Sequence, residues 1–174
     1  NTMKTIFNNI IILIMTSLPK PIVRLFAYKY VAGEDASEAI NLVKKLNQKQ
    51  FSVTLDILGE HEENKIITEK NSHDYINLLT QIHSNKLDCN LSIKPSHLGR
   101  DISHDCEINN IENIISKAKQ YNNFIRLDME DSSQTESTID LYNKLNENHK
   151  NLGIVFQAYL HRTKNDLTEI TKTK

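Results

Sequence analysis

The sequence predicts an α/β fold of the (β/α)8 TIM-barrel type, with about the first four βα units present and N-terminal helices ahead of them. Three observations carry this prediction. Short stretches of period-two alternation recur between longer stretches of helical periodicity, the pattern of βαβ units and a parallel sheet. Each alternating stretch has one apolar and one polar parity. The polar parity places Asp56, Lys94, Asp128 and Gln157 near the C-terminal ends of four successive strands. A doubly wound sheet is covered by helices on both faces and wants apolar residues on both. A barrel meets helices with one face only and holds its chemistry at the C-terminal ends of its strands.

Phe124–Asp131 shows the pattern best. Ile125, Leu127 and Met129 share one parity; Arg126, Asp128 and Glu130 share the other. Two carboxylates and a guanidinium on one face do not suit a plain packed interior. Ser132 and Ser133 follow, and Ser133-x-x-Glu136 predicts a capping box that opens a helix over 133–148, buried through Ile139, Tyr142 and Leu145.

The remaining elements follow in chain order. Asp35-Ala-Ser-Glu38 predicts a capped helix with Ala36, Ala39, Ile40, Val43 and Leu46 on its apolar stripe. Residues 51–58 alternate as a first strand, and Gly59-Glu60 closes it. A charged loop, His61–Asn64, leads toward a helix over 72–86 that buries Ile76, Leu79 and Ile82. Residues 89–94 form the second strand and 95–101 its loop. The helix over 105–121 carries Ile108, Ile111, Ile115 and Ala118, and the fourth strand runs over 154–159 before a last helix from Asn165. Residues 1–34 are expected to form the helical lead-in, and 35–174 the first half of the barrel. Within the lead-in, Ile10–Met15 is an apolar run of six, far short of the roughly 20 residues a membrane span needs.

Composition excludes several classes. The chain has 174 residues and a formal charge of −1, so it offers no field for nucleic acid. Neither a Gly-x-Gly-x-x-Gly turn nor a Gly-Lys-Ser/Thr loop follows any predicted strand. The two cysteines, Cys89 and Cys106, and the seven histidines show no metal-ligand spacing, so no metal is expected. The two cysteines suggest a reducing compartment.

An interior Lys94 needs a carboxylate partner or an anionic ligand. Three readings follow: an ion pair that stitches the barrel, a clamp for a substrate carboxylate, or a Schiff-base nucleophile of a lyase or aldolase. The Gln157 amide offers both a donor and an acceptor, which suits the edge of a heteroaromatic ring or a supporting bond.

Val53-Thr-Leu-Asp-Ile-Leu-Gly-Glu60, Leu91-Ser-Ile-Lys-Pro-Ser-His-Leu-Gly99, Ile125-Arg-Leu-Asp-Met-Glu-Asp131 and Gly153-Ile-Val-Phe-Gln-Ala-Tyr-Leu160 resemble the first four strand signatures of the monofunctional bacterial proline dehydrogenases. Tyr30-Val-Ala-Gly-Glu34 resembles that family's lead-in. The resemblance implies a distorted (β/α)8 barrel that holds FAD non-covalently, oxidises L-proline to Δ1-pyrroline-5-carboxylate and passes electrons to membrane quinone. Such an enzyme would be cytoplasmic, with a peripheral contact on the inner face of the membrane. It implies that Lys94 contacts the proline carboxylate, that Asp128 is the active-site aspartate, and that Met129 and Gln157 contact the flavin. It puts Glu60, with Asp56, at the pocket. The family's flavin-binding arginine on the fifth strand and paired substrate arginines on the last helix have no counterpart in these residues. The chain alone is therefore expected to be an inactive fragment, and a non-catalytic truncated product is the further alternative.

Overall fold

The computed structural model describes residues 18, 19, 22 and 31–172. Most of the expected N-terminal lead-in, including Ile10–Met15, lies outside the described residues. The chain divides into two compact units, Asn1–Leu42 and Val43–Lys174, and the boundary falls within helix α1, Ala36–Gln48. In the first unit Asp35 caps that helix as expected, its Oδ1 accepting from the Glu38 N–H at 2.9 Å. Glu38 reaches back to the Glu34 N–H (3.1 Å).

In the second unit a four-stranded sheet runs β1 (Val53–Leu55), β2 (Cys89–Ile93), β3 (Ile125–Leu127) and β4 (Leu152–Ile154). All neighbours are parallel, and spatial order equals chain order. Helices α2 (Lys65–Ser84), α3 (His104–Gln120) and α4 (Thr135–Asn146) connect them, and α5 (Thr163–Lys172) follows. A sheet that grows in one direction through right-handed crossovers keeps its helices on one face. That is the construction of consecutive βα units in a TIM-barrel type fold.

The register makes the two faces explicit. Leu91 stands beside Ile125 and Ile125 beside Leu152 on the helix-covered face; Ser92 stands beside Arg126 and Arg126 beside Gly153 on the other. The first row is fully or nearly fully buried, whereas Thr54 is exposed and Arg126 half-buried. Leu79, Ile111, Ile115, Ile125 and Leu127 have no exposed surface. Each such side chain contributes about 2 kcal/mol of transfer free energy.

Several boundaries differ from the sequence reading. The strands are three to five residues long because the chain leaves the ladder soon after each apolar pair. One further bond continues each of two rungs: Asp128 N–H to the Ile93 carbonyl and Val155 N–H to the Leu127 carbonyl, both 2.9 Å. The fourth strand begins at Leu152 and ends at Ile154, so Gln157 lies in a loop. Helix α2 starts at Lys65, seven residues before the predicted start, because the Asn64 side chain accepts from the Ile66 N–H and caps it there. Its buried face carries Tyr75 and Leu78, with Ile76 half-buried. The Ser133 capping box does not form. Ser132–Gln134 is a 3₁₀ turn, and α4 begins without a side-chain cap.

Candidate active site

The C-terminal edge of the sheet gathers three loops. Ser96 is their hub. It follows β2 in a 3₁₀ turn, Pro95–Leu98, that ends on Gly99 in the left-handed region (φ 112°). The Ser96 Oγ accepts from the His61 N–H (3.1 Å) and donates to the Glu130 carboxylate; the Ser96 N–H donates to Glu130 Oε2 (3.0 Å). The loops after β1, β2 and β3 are thereby tied together. The Gln157 Nε2 donates to the Glu130 carbonyl at 3.2 Å and brings in the loop after β4.

Against this frame sits the Lys94 cluster. The residue directly follows β2 and Asp128 directly follows β3 at the same level of the sheet, while Asp56 directly follows β1 one row deeper, level with Ser92 and Arg126. The Lys94 ammonium bonds Asp56 Oδ2 and lies 3.5 Å from Asp128 Oδ2. The three side chains are 14%, 25% and 31% exposed, so the cluster is sheltered yet open on one side. Burial works to lower the Lys94 pKa. The hydrogen bond and charge of Asp56, helped by Asp128, outweigh it, and the net direction is upward. Lys94 is therefore a firmly protonated ammonium.

Among the other expected site residues, Met129 is buried, and its N–H donates to Asp128 Oδ1 (3.0 Å). The Gln157 Oε1 is buried without a partner among the described residues. Glu60 is exposed and makes no polar contact with the described residues. Lys94 thus joins Asp56 and Asp128, and Gln157 is tied to the cluster only through the backbone of Glu130. The Arg126 side chain, one row below Lys94 and Asp128, has no hydrogen-bond or ion-pair partner among the described residues.

Sequence reasoning missed three residues here. Tyr75 donates from Oη to Asp56 Oδ1 (2.9 Å) from the core side. Arg100 binds Glu107 through Nε (2.8 Å) and Thr138 through Nη1 (2.8 Å), with Glu130 at 3.7 Å. His97 is buried, its Nδ1 unpartnered among the described residues, and its ring fills the space beside Gly59. A Cβ at Gly59 would meet its Nε2 at 2.3 Å, and φ there is +159°, so only glycine fits. Each partner is far off in sequence, and no local spacing announces it. No grouping of His, Cys, Asp and Glu among the described residues could hold a metal ion.

Consecutive βα units with a parallel sheet in chain order, gathering polar side chains at their C-terminal edge, place the chain in the TIM-barrel type fold class. A family model described as proline dehydrogenase matches residues 39–173. The chain is 32% identical over 151 residues to Proline dehydrogenase 1 of Bacillus subtilis (strain 168), covering 87% of this chain and 50% of that protein. It is 32% identical over 145 residues to proline dehydrogenase of Deinococcus radiodurans, covering 80% and 47%. Proline utilization A from Bdellovibrio bacteriovorus, in a crystal structure inactivated by N-propargylglycine, superposes with a TM-score of 0.79 at 23% identity, covering 88% of this chain and 19% of that one. The chain belongs to the proline dehydrogenase family. It spans about half the length of the curated relatives it matches.

Proposed function

We propose that the protein containing this chain oxidises L-proline to Δ1-pyrroline-5-carboxylate with FAD as cofactor and a quinone as final electron acceptor. The observation that carries the reading is Lys94, a protonated ammonium pinned between Asp56 and Asp128 at the strand ends of a chain of this family. An ammonium has three donors. The two aspartates take two, and the third is free for a substrate carboxylate. Such a charge-assisted contact orients the ring and is worth more than a neutral hydrogen bond.

FAD, when bound, supplies the hydride acceptor. The residues fit such a group: Gln157 keeps its Oε1 as a buried acceptor in need of a donor, which a ring N–H provides. The Glu130 carbonyl holds the Gln157 amide in one orientation, and the Met129 N–H holds the Asp128 carboxylate. Asp56 and Asp128 keep Lys94 charged across the working pH range. Three groups of net charge −1 do not by themselves attract an anion, so further cations are needed, as the family resemblance implies for the last helix. Glu60, exposed in the loop after the first strand, would lie at the mouth of the pocket.

The lysine-nucleophile reading is disfavoured, because a Schiff base needs a neutral amine and both aspartates oppose its formation. Transfer to quinone would give the enzyme a cytoplasmic location with a peripheral membrane contact; no helix among the described residues is long and apolar enough to cross a membrane. The test is to purify the full-length protein, record its visible spectrum and add L-proline without oxygen. A bound flavin that bleaches with proline is expected. A colourless protein, or a flavin indifferent to proline, contradicts the reading.

A further inference from the structure

We infer that Tyr75 is a positioning residue for the substrate site: from inside the helix layer, its hydroxyl fixes the Asp56 carboxylate and, through it, the Lys94 ammonium. This rests on the reading of Lys94 as the contact for the substrate carboxylate.

Tyr75 is on α2, on the side of the sheet away from the site, and has no exposed surface. Its ring meets His97 edge-on, with centroids 6.2 Å apart. Its Oη lies 2.9 Å from Asp56 Oδ1 and 3.3 Å from both the N–H and the carbonyl of Ile57. The hydroxyl has one hydrogen. The closer, charged carboxylate oxygen takes it, and the Ile57 N–H donates back to Oη. Burial first, and then the charge of Asp56, push the phenol pKa far upward, so Tyr75 is a donor at any working pH.

The consequence is a division of labour on one carboxylate. Asp56 Oδ1 is held by Tyr75, and Oδ2 receives Lys94. Asp56 stands one residue beyond the last residue of β1. Its own backbone makes none of the sheet's ladder bonds, so the tyrosine supplies the constraint. Without that bond the carboxylate turns about its side-chain torsions, and Lys94 shifts toward Asp128. A residue needed only for packing would do none of this, because phenylalanine fills the same space.

The experiment is Tyr75→Phe in the full-length, flavin-loaded enzyme, read as KM and kcat for proline. A second readout is the affinity for cyclopentanecarboxylate, which keeps the carboxylate and lacks the reacting nitrogen. KM and the analogue dissociation constant are each expected to rise about tenfold, the size of one hydrogen bond to a charged group. The kcat and flavin content should stay within about twofold, since neither depends on that bond. Asp56→Asn leaves the tyrosine in place and should raise KM at least as much; in that background Tyr75→Phe should add nothing further. Wild-type KM in either single variant, or equal losses from Tyr75→Phe in both backgrounds, overturns the inference. A wild-type enzyme that neither bleaches with proline nor binds the analogue overturns the proline reading instead.

Discussion

Two charged clusters sit at the C-terminal edge of the same sheet, and they differ in what surrounds them. Around Arg100 the side chains of Arg100, Glu107 and Glu130 are 8%, 5% and 5% exposed. Arg100 reaches three elements at once: Glu107 on α3, Thr138 on α4 and Glu130 after β3. Around Lys94 the three groups are roughly two to six times more exposed, and the ammonium retains a donor. The Arg100 cluster is shut in by protein and acts as a brace. The Lys94 cluster is more open to solvent, and the proposed function makes it the receptor for the substrate carboxylate. Charge alone does not mark a functional site; a charge with unspent bonding capacity facing open space does.

The largest expected effect falls on the brace. Arg100→Met strands Glu107 and Glu130 in the interior, where burial already raises the Glu107 pKa despite the guanidinium beside it. Breaking a buried pair from one side costs about 3–5 kcal/mol. Urea unfolding of the full-length protein should show a loss of that size. A loss under about 1 kcal/mol, the size of an exposed pair, erases the contrast between the clusters.

His97, in the turn between Lys94 and Arg100 in the chain, sharpens the contrast through pH. Burial lowers its pKa below the ordinary 6.5, against the charge of Asp56 and with the help of Lys94. The unfolded chain therefore takes up the proton first as pH falls through 6.5, and stability declines until the folded-state pKa is reached. The slope is at most about 1.4 kcal/mol per pH unit for one proton. His97→Gln should flatten the acid limb of the stability profile relative to wild type. An unchanged limb would show that another group sets it.

The smallest effect concerns the link between the clusters. Gln157→Ala deletes one bond to a neutral carbonyl, so stability should fall by about 1 kcal/mol. Flavin retention should fall more than stability does. Equal flavin retention in wild type and variant would place Gln157 with the brace.

Much of this was legible in the sequence, for a definite reason. The period of a strand is two, so Asp56, Lys94 and Asp128 were assigned to one face by counting alone. Consecutive order and one-sided helices followed from the polar parity. What counting could not give were the ends of elements and the partners across the chain. Asn64 caps α2 seven residues early, and the β-branched Ile66 and Ile67 hid a start that Asn64 could have signalled. Ser133 satisfied a capping pattern and lost to a 3₁₀ turn. Arg100 looked like a loop residue because its partners are 7, 30 and 38 positions away. Tyr75 gave no signal of its own, because its partner Asp56 is 19 positions earlier.

The most direct test of the contrast is the affinity of full-length Lys94→Met for cyclopentanecarboxylate, measured with its unfolding free energy. The pair with Asp56 is partly solvated, so stability should change by no more than about 1 kcal/mol. Binding of the carboxylate should weaken by about 2–3 kcal/mol, with flavin still bound. A variant that binds the carboxylate as wild type does, or one that loses stability as Arg100→Met does, would make Lys94 a second brace and contradict its assignment as the receptor.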